Sequence, residues 1–375
     1  MQQKKRILIL SEGFGAGHTQ AAHALAVSLK RMSPDVQTRV LELGSFLHPT
    51  MFPMIFNAYR KTITSQPKLY GMVYRSHYKK KIGRLSQLAL HRIFYSQTSE
   101  VISTLNPKVI VCTHPFPNAV VSRLKRSNGL DTPLCTVITD YDAHGTWVSS
   151  ETNRYLVSTP EVKNKLIARG VPSEIVQVTG IPVHPNFWQQ RDKDQVRAEF
   201  GLKAMPTVLV MGGGWGLVKQ VELLKYMVSW HEKIQFIFVC GNNKKAMEEL
   251  ESDPSFQHEN IKILGFVREV DKLMEVSDLL ITKPGGMTVT EALAKGLPML
   301  FHEPIPGQEE ENAQYFTSNG FGEELKSVET IDYWFHRLVT QYDDVVERRQ
   351  MLTKALHRYN PEDCSRAILQ MISEE

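Results

Sequence analysis

The stretch DLLITKPGGMTVTEAL, residues 278–293, reads as a buried strand, a tight turn and the start of a helix. The first N–H groups of a helix have no partner within it, so those of Gly286 to Thr288 are predicted to bind an anion. Thr288 and Thr290 would add hydroxyl donors. Glu291 lies about one turn further on, where a carboxylate can accept hydrogen bonds from a diol. The stretch therefore predicts a site for an anionic ligand that also carries hydroxyl groups.

Two more glycine-rich turns follow predicted strands: GFGAGH at 13–18 and GGGWG at 212–216. Glycine lets the chain turn tightly and lets a ligand approach the backbone. His18 adds an imidazole at the start of the following helix, and an imidazole can accept a proton near neutral pH. The alternative is that His18 only caps that helix.

Strand and helix patterns alternate along the whole chain, which predicts parallel sheets with helices on both faces. Short apolar runs at 6–11, 108–113, 134–139, 155–158, 207–211, 235–240, 262–264, 278–282 and 299–302 are the predicted strands. Predicted helices at 19–32, 99–105, 161–169, 220–231 and 288–295 lie between them.

The alternation restarts after the proline-containing stretch 180–185. We therefore expect an α/β protein of two doubly wound, Rossmann-like domains, residues 1–185 and 186–355, facing a central cleft. Residues 356–375 are expected to form a C-terminal helix that packs back on the first domain. Ligands of such sheets bind outside the carboxyl ends of the strands.

The amino-acid composition excludes several classes of protein. The 375 residues are 42% apolar and 22% charged, which is typical of a globular protein. No apolar run reaches the roughly 18 residues of a membrane span, and the run at 7–10 is too short for a signal-peptide core. The four cysteines form no CxxC pair, so neither a disulfide scaffold nor a structural zinc site is expected, and a reducing compartment fits.

Charge is distributed unevenly. Residues 1–185 hold 23 Lys and Arg against 10 Asp and Glu, whereas residues 186–375 hold 21 against 30. Residues 43–99, here called the basic segment, contain nine basic residues, no acidic residue and many aromatic and methionine side chains. This composition is typical of a segment that binds an anionic partner. The partner can be nucleic acid, or a bilayer whose interface takes up the apolar side chains beside the cations. The alternative is that the basic segment forms a solvated pair of helices over an ordinary core.

Three further polar clusters follow predicted strands. TDYDAHGTW at 139–147 contains Asp140 and His144, and His114 follows the strand at 108–113. These side chains are expected to face an acceptor substrate, although a histidine at such a position is often structural. The Asp140–Asp142 pair resembles a DxD metal motif only superficially. PIPGQEEEN at 304–312 offers side chains that can bind sugar hydroxyls, and its acidic run can equally be a solvated face.

Together these residues resemble the processive diacylglycerol glycosyltransferases and monogalactosyldiacylglycerol synthases of glycosyltransferase family 28. The resemblance runs from Ile7 to about Asn319. It is carried by GAGH at 15–18, TDY at 139–141, TGIPV at 179–183, GGG at 212–214, CGN at 240–242, GFV at 265–267 and the stretch 277–312. It implies a GT-B fold, a UDP-sugar donor, a membrane lipid acceptor and an inverting reaction without a metal or other cofactor.

The resemblance also assigns roles to residues. His18 is expected to be the general base, with Asp140 as the second candidate. Expected donor contacts are Gly17, Gly213, Gly214, Phe266, Val267, Gly285, Gly286, Thr288, Glu291, Gln308, Glu309 and Asn312. Expected acceptor or membrane contacts are His114, His144, Trp147, Arg75, Lys79, Lys80 and Lys81.

The expected enzyme moves a hexose, first glucose and next galactose, from a UDP-sugar to diacylglycerol or a glycosyl-diacylglycerol. It would work as a peripheral protein on the cytoplasmic face of the cell membrane. The alternatives are a related transferase with another lipid or small-molecule acceptor, a UDP-sugar 2-epimerase, and a UDP-sugar sensor that binds a partner protein. Nucleic acid is not expected as a partner, because no nucleic-acid module is visible.

Overall fold

A computed structural model describes residues 5–13, 16–55, 57, 97–212, 221–356 and 360–373. The chain divides into two compact units. The first comprises Met1–Pro185, Ile305–Gln308 and Tyr359–Glu375, and the second Asn186–Pro304 and Glu309–Arg358. The expected site residues Gly213, Gly214, Arg75, Lys79, Lys80 and Lys81 lie outside the described residues, as does most of the basic segment.

The first unit is built on a parallel sheet of six strands among the described residues, in the order β2-β1-β3-β4-β5-β6. The strands are β1 Arg6–Ser11, β2 Gln37–Glu42, β3 Val109–Cys112, β4 Leu134–Val137, β5 Arg154–Val157 and β6 Val176–Val178. Its helices include α1 Ala16–Met32, α2 Leu43–Leu47, α3 Pro115–Asn128, α4 Pro160–Ala168 and, from the end of the chain, α13 Asp363–Ser373.

Strand β1 shows why this sheet is covered on both faces. Its apolar side chains alternate between the two faces, as the period of a strand requires. Ile7 and Ile9 pack on the face covered by α1 and α13, while Leu8 and Leu10 pack on the face that includes α3. Ser365 of α13 hydrogen-bonds Ser28 of α1, Oγ to Oγ, at 2.8 Å.

The second unit has the same plan, with six parallel strands in the order β12-β11-β10-β7-β8-β9 within the described part of the chain. The strands are β7 Thr207–Met211, β8 Gln235–Val239, β9 Ile261–Leu264, β10 Leu279–Thr282, β11 Met299–Phe301 and β12 Gly322–Glu324. The helices are α5 Lys193–Phe200, α6 Val221–Val228, α7 Lys244–Ser252, α8 Val270–Val276, α9 Gly286–Ala294, α10 Gln308–Ser318, α11 Val328–Thr340 and α12 Tyr342–Leu356.

Strand order decides which motifs meet. In the first sheet β1, β3 and β4 are neighbours, so the residues that follow them, Glu12, Thr113 and Thr139, share one edge. In the second sheet β7, β10 and β11 are neighbours, which brings together Gly212 and the stretches after Thr282 and Phe301.

The doubly wound α/β fold expected from the sequence is confirmed, with corrections in detail. Strands β2, β6 and β12 were not predicted. Strand β2 carries Gln37 and Arg39, and β12 is the short run Gly-Glu-Glu, so neither edge strand shows a continuous apolar run. Helix α1 begins at Ala16 rather than at Thr19, which places His18 within its first turn. In the described ranges, no helix is both long and apolar enough to cross a bilayer.

Candidate active site

His18 is held by the ends of two strands rather than by its own helix. Its Nδ1 lies 3.0 Å from the backbone oxygen of Thr113 and 2.6 Å from Oγ1 of Thr139. Thr113 in turn donates from Oγ1 to the backbone oxygen of His18 at 3.0 Å. The alternative reading, that His18 only caps the helix, does not fit, because its ring bonds to residues after β3 and β4.

These contacts fix the tautomer of His18. A backbone carbonyl can only accept, so Nδ1 carries a proton and, in the neutral ring, Nε2 keeps a lone pair. Burial lowers the pKa of His18 to about 4, although the bond to Thr113 acts in the opposite direction. The ring is therefore neutral at pH 7, and its Nε2 is a proton acceptor in the form that a general base requires.

The two other histidines at this edge have the opposite tautomer. His114 caps α3 by accepting from Phe116 N at Nδ1, at 3.1 Å. His144 caps the 3₁₀ turn Gly145–Trp147 by accepting from Thr146 N at 3.3 Å. A neutral ring that accepts at Nδ1 carries its proton on Nε2, so both residues can offer a donor but not a base at that atom. Burial holds the pKa of His114 well below its usual value.

The TDYDAHGTW stretch provides support around His18. The ring of Trp147 lies 6.1 Å from the His18 ring between centroids, but its side chain is 2% exposed and belongs to the core. A ring buried to this extent offers almost no surface to an acceptor, so the structure does not support the expected contact and gives Trp147 a packing role. Asp142 is paired with Lys165, Oδ1 to Nζ at 2.5 Å.

Asp140 directly follows Thr139 and is 6% exposed. Its backbone oxygen accepts from Ser158 Oγ at 2.7 Å. Gln308 belongs to the short segment of the first unit at 305–308, and its Nε2 donates to Oδ1 of Asp140. This bond places Gln308 beside the second candidate base. Its predicted contact with a sugar stays a prediction.

Sequence reasoning missed Glu12, which directly follows β1. Its side chain is fully buried and accepts from Gly13 N at 3.1 Å and from Gly44 N at 2.6 Å. Burial raises the pKa of Glu12 to about 7, and the nearby Glu42 carboxylate acts in the same direction. Its position immediately after a strand, beside the glycine loop, was the available signal.

In the second unit, the expected anion site has the predicted form. Strand β10 ends at Thr282, and α9 begins at Gly286, so the N–H groups of Gly286, Met287 and Thr288 have no partner within the helix. Gly285 has a φ of −69°, and a Cβ added there would meet nothing within 4 Å. Neither backbone geometry nor packing requires glycine at this position, and the open space admits a ligand. Thr290 differs from expectation, because its Oγ1 donates to Gly286 O at 2.6 Å within the helix.

Glu291 lies on α9 and is half-buried. Burial raises the pKa of its carboxyl to about 8, and Asp271 raises it further by repulsion. Most copies of this side chain therefore carry a proton at pH 7 when no ligand is bound. A ligand that donates hydrogen bonds would favour the carboxylate and release that proton.

The remaining expected donor contacts follow β9 or lie on α10 and α1. Phe266 and Val267 follow β9, and Phe266 is 62% exposed, an unusual exposure for a large apolar side chain. Glu309 lies in the first turn of α10. Asn312 is fully buried and its Nδ2 donates to Pro284 O at 3.1 Å, so it braces the turn before α9. Gly17 lies in the first turn of α1, next to His18.

A second residue that sequence reasoning missed is His302, which follows β11. It is 3% exposed, and its Nε2 has no hydrogen-bond partner among the residues that the structure describes. Glu303 follows it with a φ of 41°, a left-handed conformation that non-glycine residues rarely adopt. Such features concentrate at functional sites. Their position at the end of the predicted strand 299–302 was visible in the sequence.

Known proteins are similar to both halves of the chain. Residues 18–183 match the model for monogalactosyldiacylglycerol (MGDG) synthase, and residues 207–361 match the glycosyltransferase family 28 C-terminal domain. Curated relatives include processive diacylglycerol beta-glucosyltransferases from Bacillus pumilus (strain SAFR-032), 31% identical, and Bacillus subtilis (strain 168), 30% identical. Each match covers 100% of this chain and 96% of the relative.

Solved structures show the same fold at low identity. MurG from Acinetobacter baumannii matches with a TM-score of 0.62 and 16% identity, covering 99% of this chain and 100% of that one. Anabaena HepE in complex with UDP and glucose matches with a TM-score of 0.61 and 14% identity, covering 98% and 99%.

The fold and the match to family models define a glycosyltransferase of the GT-B type, which confirms the class of enzyme expected from the sequence. The chain belongs to glycosyltransferase family 28, in the branch of the monogalactosyldiacylglycerol synthases and processive diacylglycerol glycosyltransferases. These similarities therefore support a transferase rather than a UDP-sugar 2-epimerase or a UDP-sugar sensor.

Proposed function

We propose that this protein transfers a hexose from a UDP-sugar to the hydroxyl of diacylglycerol or of a glycosyl-diacylglycerol. The observation that carries the proposal is the fixed tautomer of His18, which leaves Nε2 as a base at the carboxyl edge of the first sheet. Glucose is the first choice of sugar, because the curated relatives are named glucosyltransferases, and galactose is the next.

The proposed reaction is a single displacement. The acceptor hydroxyl attacks the anomeric carbon while its proton passes to Nε2 of His18. The bond from that carbon to the diphosphate oxygen breaks, and UDP leaves with the electron pair. One displacement at carbon inverts its configuration. Asp140 is the second candidate for the base.

The N-terminus of α9 is proposed to stabilise the leaving diphosphate. Its first N–H groups and the helix dipole already point outward, and such preorganised donors stabilise charge that develops in a transition state. Gly285 leaves space for the phosphate, and Glu291 would accept from the ribose. This assignment needs neither a divalent ion nor another cofactor, so we propose that the enzyme requires none.

The first residues of the basic segment carry exposed apolar side chains, as expected of a surface that binds a membrane. Within residues 43–55, the large apolar side chains Phe46, Met51, Met54 and Ile55 are 48%, 39%, 72% and 43% exposed. They directly precede the cations of the same segment. Exposed apolar groups beside cations are typical of proteins that bind anionic bilayers at the interface. We therefore propose a peripheral enzyme on the cytoplasmic face of the cell membrane.

The decisive experiment is transfer by purified protein on anionic vesicles that contain diacylglycerol, with EDTA present. UDP-glucose, UDP-galactose and UDP-N-acetylglucosamine are supplied in turn, and lipid products are resolved by mass and by the anomeric coupling constant. A glycolipid of inverted configuration from one donor supports the sugar, the acceptor and the lack of a metal requirement. UDP release without glycolipid would refute the lipid acceptor, and activity lost only with EDTA would refute metal independence.

A further inference from the structure

The carboxylate of Glu12 joins two segments that are far apart in the sequence. One oxygen accepts from Gly13 N at 3.1 Å, in the glycine loop that leads to His18, and the other accepts from Gly44 N at 2.6 Å. Gly44 is the second residue of α2, where the basic segment begins. Glu12 is fully buried, so water does not replace these bonds.

A second carboxylate completes the connection. Glu42 ends β2 beside Ser11 of β1, and its Oε1 accepts from Thr19 Oγ1 at 2.8 Å. Thr19 follows His18 on α1. The helix that carries His18 and the start of the basic segment are thus tied together by two acidic side chains at the ends of neighbouring strands.

This arrangement is costly for the fold. Glu12 is desolvated and lies near a like charge, and both effects disfavour its ionised form. The hydrogen bonds from Gly44 N and Gly13 N favour the ionised form and offset part of this cost. Buried ionisable groups of this kind concentrate at functional edges, and this edge is the one that carries His18.

We propose that Glu12 is a positioning residue for the lipid acceptor, which holds the first residues of the basic segment in register with the helix that carries His18. The proposal rests on the function proposed above. Gly44 precedes the exposed side chains of Phe46 and Met51, so a displaced Gly44 would shift the surface offered to lipid. The donor helix α9 belongs to the other unit.

The test compares Glu12→Ala and Glu12→Gln with the wild type at pH 8, where Glu12 is ionised. Glu12→Gln keeps the shape and one acceptor oxygen, so it loses one charge-assisted bond, and we expect about a tenfold rise in acceptor KM. Glu12→Ala loses both bonds, and we expect about a hundredfold rise. Acceptor KM is measured as the mole fraction of diacylglycerol at constant total lipid, and the KM for UDP-sugar should change less than about twofold.

The matched control is Asp278→Asn. Asp278 is also a buried carboxylate that accepts from a backbone N–H, that of Thr207 at 2.9 Å, but it precedes β10 at the opposite edge of its sheet. It should lower the melting temperature without a change in acceptor KM. This separates the loss of a buried carboxylate from the loss of a positioning contact, and the near-isosteric Gln variant tests the proposal even if the Ala variant does not fold.

Two failures can be told apart. If the wild type makes no glycolipid, the proposed function is overturned, and the acceptor role of Glu12 with it. If the wild type makes glycolipid but the Glu12 variants leave acceptor KM unchanged, or raise donor KM by the same factor, the Glu12 proposal alone is overturned.

Discussion

Nδ1 of His18 lies 3.0 Å from the carbonyl oxygen of Thr113, and this one contact separates His18 from the other histidines of its edge. The carbonyl requires a proton on Nδ1, so the acceptor atom of His18 is Nε2. His114 and His144 instead accept at Nδ1, where they cap α3 and the 3₁₀ turn Gly145–Trp147. Of these three rings, only His18 presents the lone pair that a base at Nε2 needs.

Replacing His18 with alanine should lower kcat by about 10²- to 10⁴-fold, the usual contribution of a general base. UDP affinity, measured by calorimetry, should stay within about twofold because His18 is in the first unit and α9 in the second. His23→Ala is the control, since His23 is exposed on the same helix. A variant that lost UDP affinity but kept normal turnover would refute the base assignment.

The pH profile of kcat tests the same residue without a mutation. Because burial lowers the pKa of His18 to about 4, the ring stays deprotonated well below the usual range of histidine. At saturating donor and acceptor, kcat should therefore fall only as the pH approaches about 4, where His18 becomes protonated. A fall in kcat centred near pH 6.5 would contradict this lowered pKa, provided that the residual activity of His18→Ala does not show the same fall.

Much of this site was predictable from the sequence, because parallel strands place the residues that follow them at one edge. The turn at 284–286 and the position of His18 after a glycine loop both come from that rule. The partners of His18 were not predictable, since Thr113 and Thr139 are 95 and 121 residues away in the chain. The fully buried environment of Glu12 depends in the same way on Gly44, which only the folded chain brings to it.

Edge strands were the main omission in the fold. Strand β2 alternates exposed and partly buried residues, and its sequence QTRVLE lacks the apolar run that marks a central parallel strand. Its existence matters for function, because it brings Glu42 beside the end of β1. Sequence patterning recovers the centre of each sheet better than its edges, where burial no longer selects the side chains.

Gly285→Ala should separate binding from folding. Its φ of −69° suits alanine, and the new Cβ would meet nothing within 4 Å, so the free energy of unfolding should change by less than about 1 kcal/mol. Donor KM should rise about tenfold if phosphate approaches this backbone. Gly296→Ala is the contrast, because Gly296 has a φ of +60° and a Cβ there would lie 2.4 Å from Thr353 Oγ1. It should lower the melting temperature, and equal donor KM in Gly285→Ala and wild type would exclude the proposed phosphate contact.

UDP binding should depend on pH through Glu291. The free carboxyl has a pKa of about 8, so at pH 7 it must lose a proton to accept hydrogen bonds from ribose. Affinity should therefore rise as the pH increases toward 8 and then level off, and calorimetry in buffers of different ionisation enthalpy should detect proton release. Glu291→Gln should weaken binding and remove this dependence. Glu248→Gln, at an exposed position on α7, should leave it intact; a pH-independent wild type would refute the role of Glu291.

Cations of the basic segment should control the electrostatic part of vesicle binding. Reversing Lys79, Lys80 and Lys81 to glutamate should weaken binding to anionic vesicles, because each cation near such a surface contributes about 1 kcal/mol. The remaining binding should depend less on salt. Sedimentation with vesicles at several salt concentrations measures both effects. Binding that is unchanged in strength and salt dependence would assign these lysines to another partner.

The exposed apolar side chains before those cations should contribute a part that salt does not screen. Met54→Gln and Ile55→Gln each remove an apolar group that would enter the interface, so each should weaken vesicle binding about tenfold. The salt dependence should stay that of the wild type, because no charge is gained or lost. Val346→Gln is the matched control, because Val346 is an exposed apolar residue on α12 in the second unit, and this variant should bind like the wild type. If all three variants bound equally, the bilayer would not contact residues 51–55, and the acceptor would have to reach His18 over another surface.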